Sequence, residues 1–252
     1  MANGVPGAER ALQILERVSA AGERGRTASE VARALGLPHN STSRLLETLR
    51  ARVYLERAGA ERRFFVTGRL LELARPRVGE RSLAGEAFDA LRLLRDRSGE
   101  TAQLSVRSAH KCVILDQVAS RRPVKVLGEI GFRVPLYSCA PGKAILAALP
   151  PDELEEFFRA VTLKRFTPTT RATRKELTAD LLRARRDGYA LDRSEGMDGI
   201  RCVGAAVLDA NGHPLAAVTV IAPAFRLPEK MFAEAGRHCI AAAAEIRRRL
   251  LA

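Results

Sequence analysis

The chain has 252 residues, of which 46% are hydrophobic and 28% are charged, and its formal net charge is +13. This length fits one large domain or two ordinary ones, and the composition excludes wholesale disorder and low-complexity fibres. No run of about 18 apolar residues is present, so we expect no transmembrane span, and residues 1–10 lack the apolar segment of a secretory signal. The four cysteines form no CxxC pair, so we expect no disulfide framework, no structural zinc and a reducing cytoplasm.

The positive charge permits binding to nucleic acid but does not establish it. Arginine supplies 36 of the 42 basic residues, and these are spread along the chain. A nucleic-acid surface requires basic residues that are clustered on one face of the fold. The order of the predicted elements is therefore more informative than the total charge.

The first part of the chain is predicted to contain three short helices. Apolar residues at helical spacing indicate the first helix, at residues 9–20. The pattern Thr-Ala-Ser-Glu at residues 27–30 is a capping box that opens the second helix. Gly36 then makes a tight turn, and Pro38 suits the first turn of a third helix, at residues 38–52. Two helices joined by a short glycine-containing turn form the helix-turn-helix arrangement.

The third helix carries polar residues opposite its apolar face. The positions expected to face inward, at spacing i, i+3, i+4 and i+7, are Thr42, Leu45, Leu46 and Leu49. Asparagine and arginine on the opposite face can make bidentate contacts to adenine and guanine edges in a major groove. We therefore predict that DNA is contacted by His39, Asn40, Ser41, Ser43, Arg44 and Glu47.

Two strand-like runs follow, at residues 53–57 and 63–66, and the loop between them is predicted to make a hairpin wing. Arg57, Arg62 and Arg63 are placed to contact phosphates or a minor groove. The alternative is an ordinary three-helix bundle with a solvated polar face. The hairpin, together with the Asn/Ser/Arg face, favours DNA binding.

The second part, residues 81–252, mixes helices and strands and is predicted to be an α+β domain on a largely antiparallel sheet. An Asn-Gly pair at residues 211–212 indicates a hairpin between two of its strands. Predicted strands cover residues 102–106, 112–115, 124–127, 202–208 and 215–221. Predicted helices run from Ser82 to Gly99 and cover residues 141–149, 152–158, 173–187 and 229–250.

Eight segments, in this order and spacing, carry a resemblance to a known family. They are residues 9–15, 30–38, 44–49, 98–101, 141–147, 187–192, 199–202 and 222–223. Together they resemble the IclR family of bacterial transcriptional regulators, and the resemblance covers nearly the whole chain. It implies a winged helix-turn-helix domain at residues 1–66, a linker helix at 67–80 and a GAF-like effector-binding domain at 81–252. It also implies a homodimer or dimer of dimers that binds operator DNA.

By this resemblance, the start of the helix at Pro141 faces a small effector. A helix N-terminus suits a carboxylate, although Pro141 has no N–H to donate. A cavity with few polar groups suits an aromatic or longer-chain acid, with Met197 as further apolar wall. The alternative is that Cys202, Thr219 and Ile221 merely fill the sheet core. The effector-binding residues predicted in this way are Cys139, Ala140, Pro141, Gly142, Leu146, Asp192, Cys202, Thr219 and Ile221.

The chain departs from the family pattern at two places. Val53 stands where the family usually has glycine, just before the tyrosine that opens the wing. Thr219 and Ile221 stand where family cavities often have two serines. The second departure predicts an effector that is less polar than the small keto acids known for the family.

A small-molecule-binding or hydrolytic α+β enzyme with a helical N-terminal appendage is the second function class. The pair Gly142-Lys143 does not make a phosphate loop, because Tyr137 and Ala144 occupy positions where that motif needs glycine and a hydroxyl residue. The four histidines show no metal-binding spacing. No Ser/His/Asp or Cys/His set has a recognisable context. We therefore expect no catalytic residues, metal or cofactor, and we predict an effector-responsive DNA-binding regulator.

Overall fold

The computed structural model describes residues 5–70, 77–78 and 81–252. Contacts divide the chain into two compact units, with the division between residues 76 and 77. Within the described ranges, no helix is both long and apolar enough to cross a membrane. The linker helix predicted for residues 67–80 falls mostly outside the described residues, since 71–76 and 79–80 are not among them.

The N-terminal unit contains three helices followed by a two-stranded hairpin, as predicted. Its core contains Ile14 and Val18 of the first helix, Leu46 and Leu49 of the third, and Phe64 of the hairpin. The elements are α1 (Pro6–Ser19), α2 (Ala28–Leu35), α3 (His39–Ala51), β1 (Leu55–Ala58) and β2 (Arg63–Val66).

The local sequence signals for α2 and α3 are confirmed. The capping box at the start of α2 is formed, with the Thr27 N–H donating to Glu30 Oε2 at 3.0 Å and the Glu30 N–H donating to Thr27 Oγ1 at 3.2 Å. On α3, Thr42 is buried and its hydroxyl donates to the Pro38 carbonyl at 3.1 Å. Leu45, which was predicted to face inward, is only partly buried.

The end of α3 contains a valine in a glycine conformation. The Tyr54 N–H donates to the Leu49 carbonyl and the Val53 N–H donates to the Arg50 carbonyl, both at 2.9 Å. This is the Schellman pattern, whose C′ residue is left-handed and is usually glycine. Val53 holds that position with φ of +63°. The predicted first wing strand therefore begins at Leu55 rather than at residue 53, because a left-handed residue cannot lie in a strand.

We expect Val53→Gly to stabilise the N-terminal unit by about 1 kcal/mol. It relieves about 1–3 kcal/mol of strain and loses part of this to the greater freedom of glycine in the unfolded chain. Val53 is 61% exposed, so little packing is lost. The measurement is the free energy of opening of α1–α3 from amide hydrogen exchange in the full chain.

The matched control for this change is Gly36→Val. Gly36 ends α2 with the same hydrogen-bond pattern and φ of +62°, and no atom would lie within 4 Å of an added Cβ. The valine should therefore cost stability through the backbone alone. A loss of stability in Val53→Gly, or no loss in Gly36→Val, would contradict the strain account.

The C-terminal unit is built on one antiparallel sheet of six strands, in the order β7-β6-β5-β10-β9-β8. The strands are β5 (Thr101–Ser108), β6 (Lys111–Val118), β7 (Arg133–Pro135), β8 (Ala190–Arg193), β9 (Ile200–Leu208) and β10 (Pro214–Pro223). The helices are α4 (Leu83–Ser98), α5 (Ala140–Ala148), α6 (Pro151–Ala160), α7 (Arg174–Asp187) and α8 (Phe232–Leu251). Two short strands before α4, β3 (Arg77–Val78) and β4 (Arg81–Ser82), pair with each other. The end of the predicted linker segment is therefore extended at residues 77–78.

The two faces of the sheet have different coverings. On β10, Val218 and Val220 face the core formed with α4 and α8, whereas Ala217 belongs to the core beneath α5 and α7. Side chains alternate along a strand, so Thr219 and Ile221 share the face of Ala217. The region of this face around Thr219 and Ile221 lies beyond the start of α5, and the cavity described below is found there.

The strand predicted for residues 124–127 is wrong. This segment pairs with no strand, and the third strand along the chain from β5 is β7, at Arg133–Pro135. The side chain of Gln117, on β6, binds the backbone of this segment instead. Gln117 Nε2 donates to the Gly128 carbonyl at 2.5 Å, and the Gly128 N–H donates to Gln117 Oε1 at 3.3 Å. The segment is thereby held over the sheet instead of beside it.

Candidate functional site

The predicted DNA-contacting residues of α3 lie on its accessible side. His39, Asn40, Ser41 and Arg44 are exposed. The helix start is thus free of the core contacts made by Leu46 and Leu49, so the same residues can approach a groove. Ser43 and Glu47 are partly buried.

Glu47 is bound within the unit by two arginines. Its Oε2 accepts from Arg50 Nε at 2.6 Å, and its Oε1 accepts from Arg57 Nη1 at 2.7 Å. The hydrogen bond from Arg50 and the charges of both arginines hold the pKa of Glu47 below its usual range. The carboxylate therefore connects α3 to the wing and positions Arg57, which also lies over the ring of Phe64.

The other two wing arginines differ from each other. Arg63 forms ion pairs with Glu30 at 3.2 Å and with Glu61 at 2.8 Å. Arg62 is exposed, with φ of +54°. Among the described residues, Arg44 and Arg62 form no ion pair. Of the four arginines predicted to contact DNA, these two can therefore bind it without breaking an ion pair within the unit.

The C-terminal unit contains a cavity of about 460 Å³ on the open part of the sheet. The segment at residues 126–135 and the start of α5 form its other walls. Of the nine predicted effector-binding residues, those that line it are Cys139, Pro141, Asp192, Cys202, Thr219 and Ile221, and Met197 lines it as well.

Three predicted residues are not brought to the cavity. Leu146 is fully buried in the core with Leu136 and Phe157, because it faces the sheet from the second turn of α5. Gly142 packs against backbone, since an added Cβ would lie 2.2 Å from the Leu136 carbonyl oxygen. Ala140 is fully buried within the same core region and does not line the cavity.

Several lining residues were missed by sequence reasoning. Gln103 and Ser105 lie on β5 opposite Thr219 and Ala217, so they share the cavity face. The alternation of β5 could have indicated them once its pairing with β10 was known. Phe132 and Phe166 come from irregular segments and carry no local pattern that would predict their place.

The polar lining is organised by the strand register. Asp192 pairs with Cys202, which pairs with Ile221, so these three form one row across β8, β9 and β10. In the next row Thr219 lies between Gly204 and Gln103. Among the described residues, the buried Thr219 Oγ1 has no hydrogen-bond partner.

Asp192 is a buried carboxyl group at the cavity. It is 5% exposed, and its Oδ1 accepts the Glu195 N–H at 2.7 Å. Burial, with a further contribution from the neighbouring Glu195 carboxylate, raises the pKa of Asp192 to about 7, although that N–H bond and Lys143 act in the opposite direction. Burial also raises the pKa of the adjacent Cys202 thiol, so this cysteine is no activated nucleophile.

A buried ion cluster lies behind Asp192. Lys143 Nζ, on α5, donates to Glu195 Oε1 at 2.6 Å and to Asp180 Oδ2, on α7, at 3.2 Å. Arg171 and Arg183 also bind the Asp180 carboxylate. Although burial opposes ionisation, Lys143 and the two arginines lower the pKa of Asp180 to about 2. Lys143, singled out in the sequence only as part of a false phosphate-loop pattern, is thus a structural cation.

The two units together have the architecture of a winged helix-turn-helix transcriptional regulator with a second, α+β domain. The sequence matches the IclR helix-turn-helix domain over residues 7–59. It matches the C-terminal domain of bacterial IclR transcriptional regulators over residues 78–248. The chain belongs to the IclR family.

Known relatives agree with this assignment over nearly the full length. The transcriptional repressor IclR of Escherichia coli is 29% identical over 94% of this chain and 87% of its own. The crystal structure of IclR from Thermotoga maritima is 29% identical, with a TM-score of 0.75 over 96% of this chain and 98% of that one. An IclR homolog of Microbacterium hydrocarbonoxydans, solved in complex with 4-hydroxybenzoate, is 23% identical, with a TM-score of 0.82 over 97% and 99% of the two chains. The predicted α+β fold with a winged helix-turn-helix domain is confirmed.

We expect Lys143→Met to destabilise the C-terminal unit by about 3–5 kcal/mol. Removing the cation leaves the carboxylates of Glu195 and Asp180 buried with less opposite charge near them. Leaving a buried charge unpaired costs more free energy than the ion pair itself contributes to stability. The measurement is urea unfolding of the full chain, followed by hydrogen exchange in β8 and α5. The control is Lys175→Met on the exposed side of α7, which removes the same charge. Equal stability of the two variants would contradict a structural role for Lys143.

Proposed function

We propose that this regulator binds an operator in double-stranded DNA and that a small acid in the cavity changes its affinity for that operator. The cavity with an unpartnered, buried Thr219 hydroxyl is the observation that carries the effector part of the proposal. A buried hydroxyl without a partner costs free energy that a ligand can recover by hydrogen bonding to it. The hydrolytic alternative has less support, because burial raises the pKa of the Cys202 thiol at the cavity, so this cysteine is no activated nucleophile.

On the DNA side, α3 enters the major groove with its N-terminal half, and His39, Ser41 and Ser43 lie near the phosphates and base edges. Arg44 reads a guanine and Asn40 an adenine, because these side chains match the donor and acceptor patterns of those bases. The wing arginines at residues 57, 62 and 63 neutralise phosphates. Glu47 contributes by holding Arg57, through the 2.7 Å hydrogen bond, at the angle from which it meets the backbone.

On the effector side, the cavity favours an aromatic or longer-chain acid. Its volume of about 460 Å³ lies in the range of small-molecule sites. Aliphatic and aromatic side chains, including Ile114, Phe132, Val134 and Ile221, form much of its wall. The homolog from Microbacterium hydrocarbonoxydans, which was solved with 4-hydroxybenzoate, supports the same ligand class.

The protein acts as a homodimer or a dimer of dimers in the cytoplasm. A single winged unit contacts too little DNA for specificity in a genome, and two-fold pairing on a palindromic operator doubles the contacts. The cysteines are all free and buried, which suits a reducing compartment.

We expect Arg44→Ala to lower discrimination between operator and scrambled DNA by about 1–3 kcal/mol for each half-site, with no loss of stability. The side chain forms no ion pair with the described residues and is exposed, so no core contact is removed. Fluorescence anisotropy with both DNAs at several salt concentrations measures the effect. Arg17→Ala, on an exposed position of α1, removes the same charge and should leave discrimination intact. Equal discrimination by wild type and Arg44→Ala would refute the assignment.

We expect Thr219→Val to stabilise the ligand-free protein by about 1 kcal/mol and to weaken the stabilisation by bound acids. The substitution removes an unpartnered polar atom and keeps the shape of the side chain. A panel of aliphatic and aromatic carboxylates should raise the melting temperature of the wild type, and the rise should shrink in Thr219→Val and in Asp192→Ala.

The matched control is Thr101→Val in the neighbouring strand. Thr101 is equally buried, but its hydroxyl accepts the Ser120 N–H at 3.1 Å, so its loss should destabilise the protein and leave ligand binding unchanged. If stabilisation by the acids survives both cavity variants, the effector site lies elsewhere.

A further inference from the structure

The cavity contains no cation to match an acid ligand. Among the described residues that line it there is no lysine, arginine or histidine. Two carboxyl groups line it instead: Glu129, which is exposed at its edge, and Asp192, which is buried. A carboxylate that enters this site in its ionised form meets like charge in a poorly solvated place, which is costly.

The start of α5 offers little compensation. Pro141 has no N–H, and the Lys143 N–H donates to the Cys139 carbonyl at 3.0 Å. Ala140 and Gly142, which carry the remaining N–H groups of this turn, do not line the cavity. The Lys143 ammonium is occupied by Glu195 and Asp180 and does not line the cavity. The first turn of α5 therefore presents few N–H donors to a ligand in the cavity.

The groups that face Asp192 come from four elements. Glu195, in the loop after β8, contributes an N–H and a carboxylate, and Lys143 contributes its charge from α5. Cys202 on β9 and Cys139 at the start of α5 contribute thiols; burial raises the pKa of Cys202, and the neighbouring Cys112 thiol together with burial raises the pKa of Cys139. Glu129, from the segment at the cavity edge, is exposed, so solvent screens its charge from Asp192. The nearest cation, Lys143, is already bound to Glu195 and Asp180, so burial dominates and the surroundings of Asp192 favour its uncharged form.

We infer that an acid ligand binds in a pair with Asp192 that shares one proton, with the carboxyl O–H of Asp192 donating to the carboxylate of the ligand. This inference rests on the proposed effector site and specifies how that site accepts an acid. Two carboxyl groups in contact retain one proton between them because both cannot ionise at short distance. The pair then carries a single negative charge, and the Thr219 hydroxyl is a second donor available in the neighbouring row.

Proton uptake is the direct consequence. The pKa of Asp192 is raised by burial to about 7, so the free protein has already lost this proton at higher pH. Binding then takes one proton from solvent, and the affinity for an acid falls about tenfold per pH unit above that pKa. Between pH 7 and pH 9 the expected loss is roughly fifty-fold. An uncharged ligand of the same shape requires no proton and shows no such loss.

The experiment compares acids with their primary amides by isothermal titration calorimetry on the full chain. The probes are benzoate, phenylacetate and 4-methylbenzoate, each beside its amide, at pH 7 to 9 in buffers of different ionisation enthalpy. We expect each acid that binds to take up about one proton near pH 8 and to lose affinity with pH, whereas its amide changes less than about twofold. An acid that binds without proton uptake, or binding by the amides alone, overturns the inference and leaves the effector site intact. Failure of every acid and every amide to bind counts against the effector site itself.

Two variants test the residue. Asp192→Asn keeps an oxygen to accept the Glu195 N–H and supplies an N–H donor that does not titrate, so acid binding should persist with proton uptake near zero and a flat pH profile. Glu129→Gln removes the other carboxyl of the lining and should retain the wild-type pH profile. A pH profile that flattens in Glu129→Gln, or that survives in Asp192→Asn, contradicts the role of Asp192. The wild-type proton count remains decisive if either variant folds poorly.

Discussion

The buried ammonium of Lys143 holds together the elements around the cavity, and the proposed effector site depends on their arrangement. Through its contacts at 2.6 Å to Glu195 and 3.2 Å to Asp180, it ties α5 and α7 to the loop after β8. That loop is further held by Thr170, whose hydroxyl donates to the Glu195 carbonyl at 2.6 Å. A buried ion cluster of this kind adds little net stability, because the desolvation of its charges offsets their attraction. Its effect is positional: the Glu195 N–H is fixed where it meets Asp192 at the cavity.

The cavity follows from the same arrangement. The second face of the sheet is covered by α5 and α7 only in part, and the segment at residues 126–135 closes over the remainder through hydrogen bonds between Gln117 and Gly128. Rows of side chains across β8, β9 and β10 then supply one carboxyl, one thiol and one hydroxyl without a partner among the described residues, on an otherwise apolar surface. This lining has no cation to match an acid, so we propose that it selects ligands by shape and through the proton that Asp192 shares with a bound acid. In the other unit, an ion cluster around Glu47 plays a comparable part, since it holds the wing arginine Arg57 against α3.

Local signals in the sequence predicted most of the fold but only part of the site. The capping boxes at Thr27 and Thr173 and the Asn-Gly turn at residues 211–212 between β9 and β10 act within a few residues, so they can be read without the structure. The absent strand at 124–127 and the inward position of Leu146 depend on contacts between distant segments, namely Gln117 with Gly128 and α5 with its core. Lys143 illustrates the same limit: a lysine in an apolar helix has no local sign that carboxylates from two other elements will surround it. The left-handed Val53 was marked only by its departure from the family's glycine.

The most direct test measures the thermodynamic coupling between operator binding by the N-terminal unit and acid binding by the C-terminal unit. An operator fragment protected by the protein is titrated with and without a saturating acid that stabilises the wild type, and the affinity for that acid is then measured with and without the operator. Linkage requires both affinities to change by the same factor, typically about 5- to 150-fold. We predict equal factors in the wild type and a factor near one when the acid is replaced by a panel member that does not bind. An operator affinity that is unchanged at saturating acid would contradict the claim that the cavity controls DNA binding.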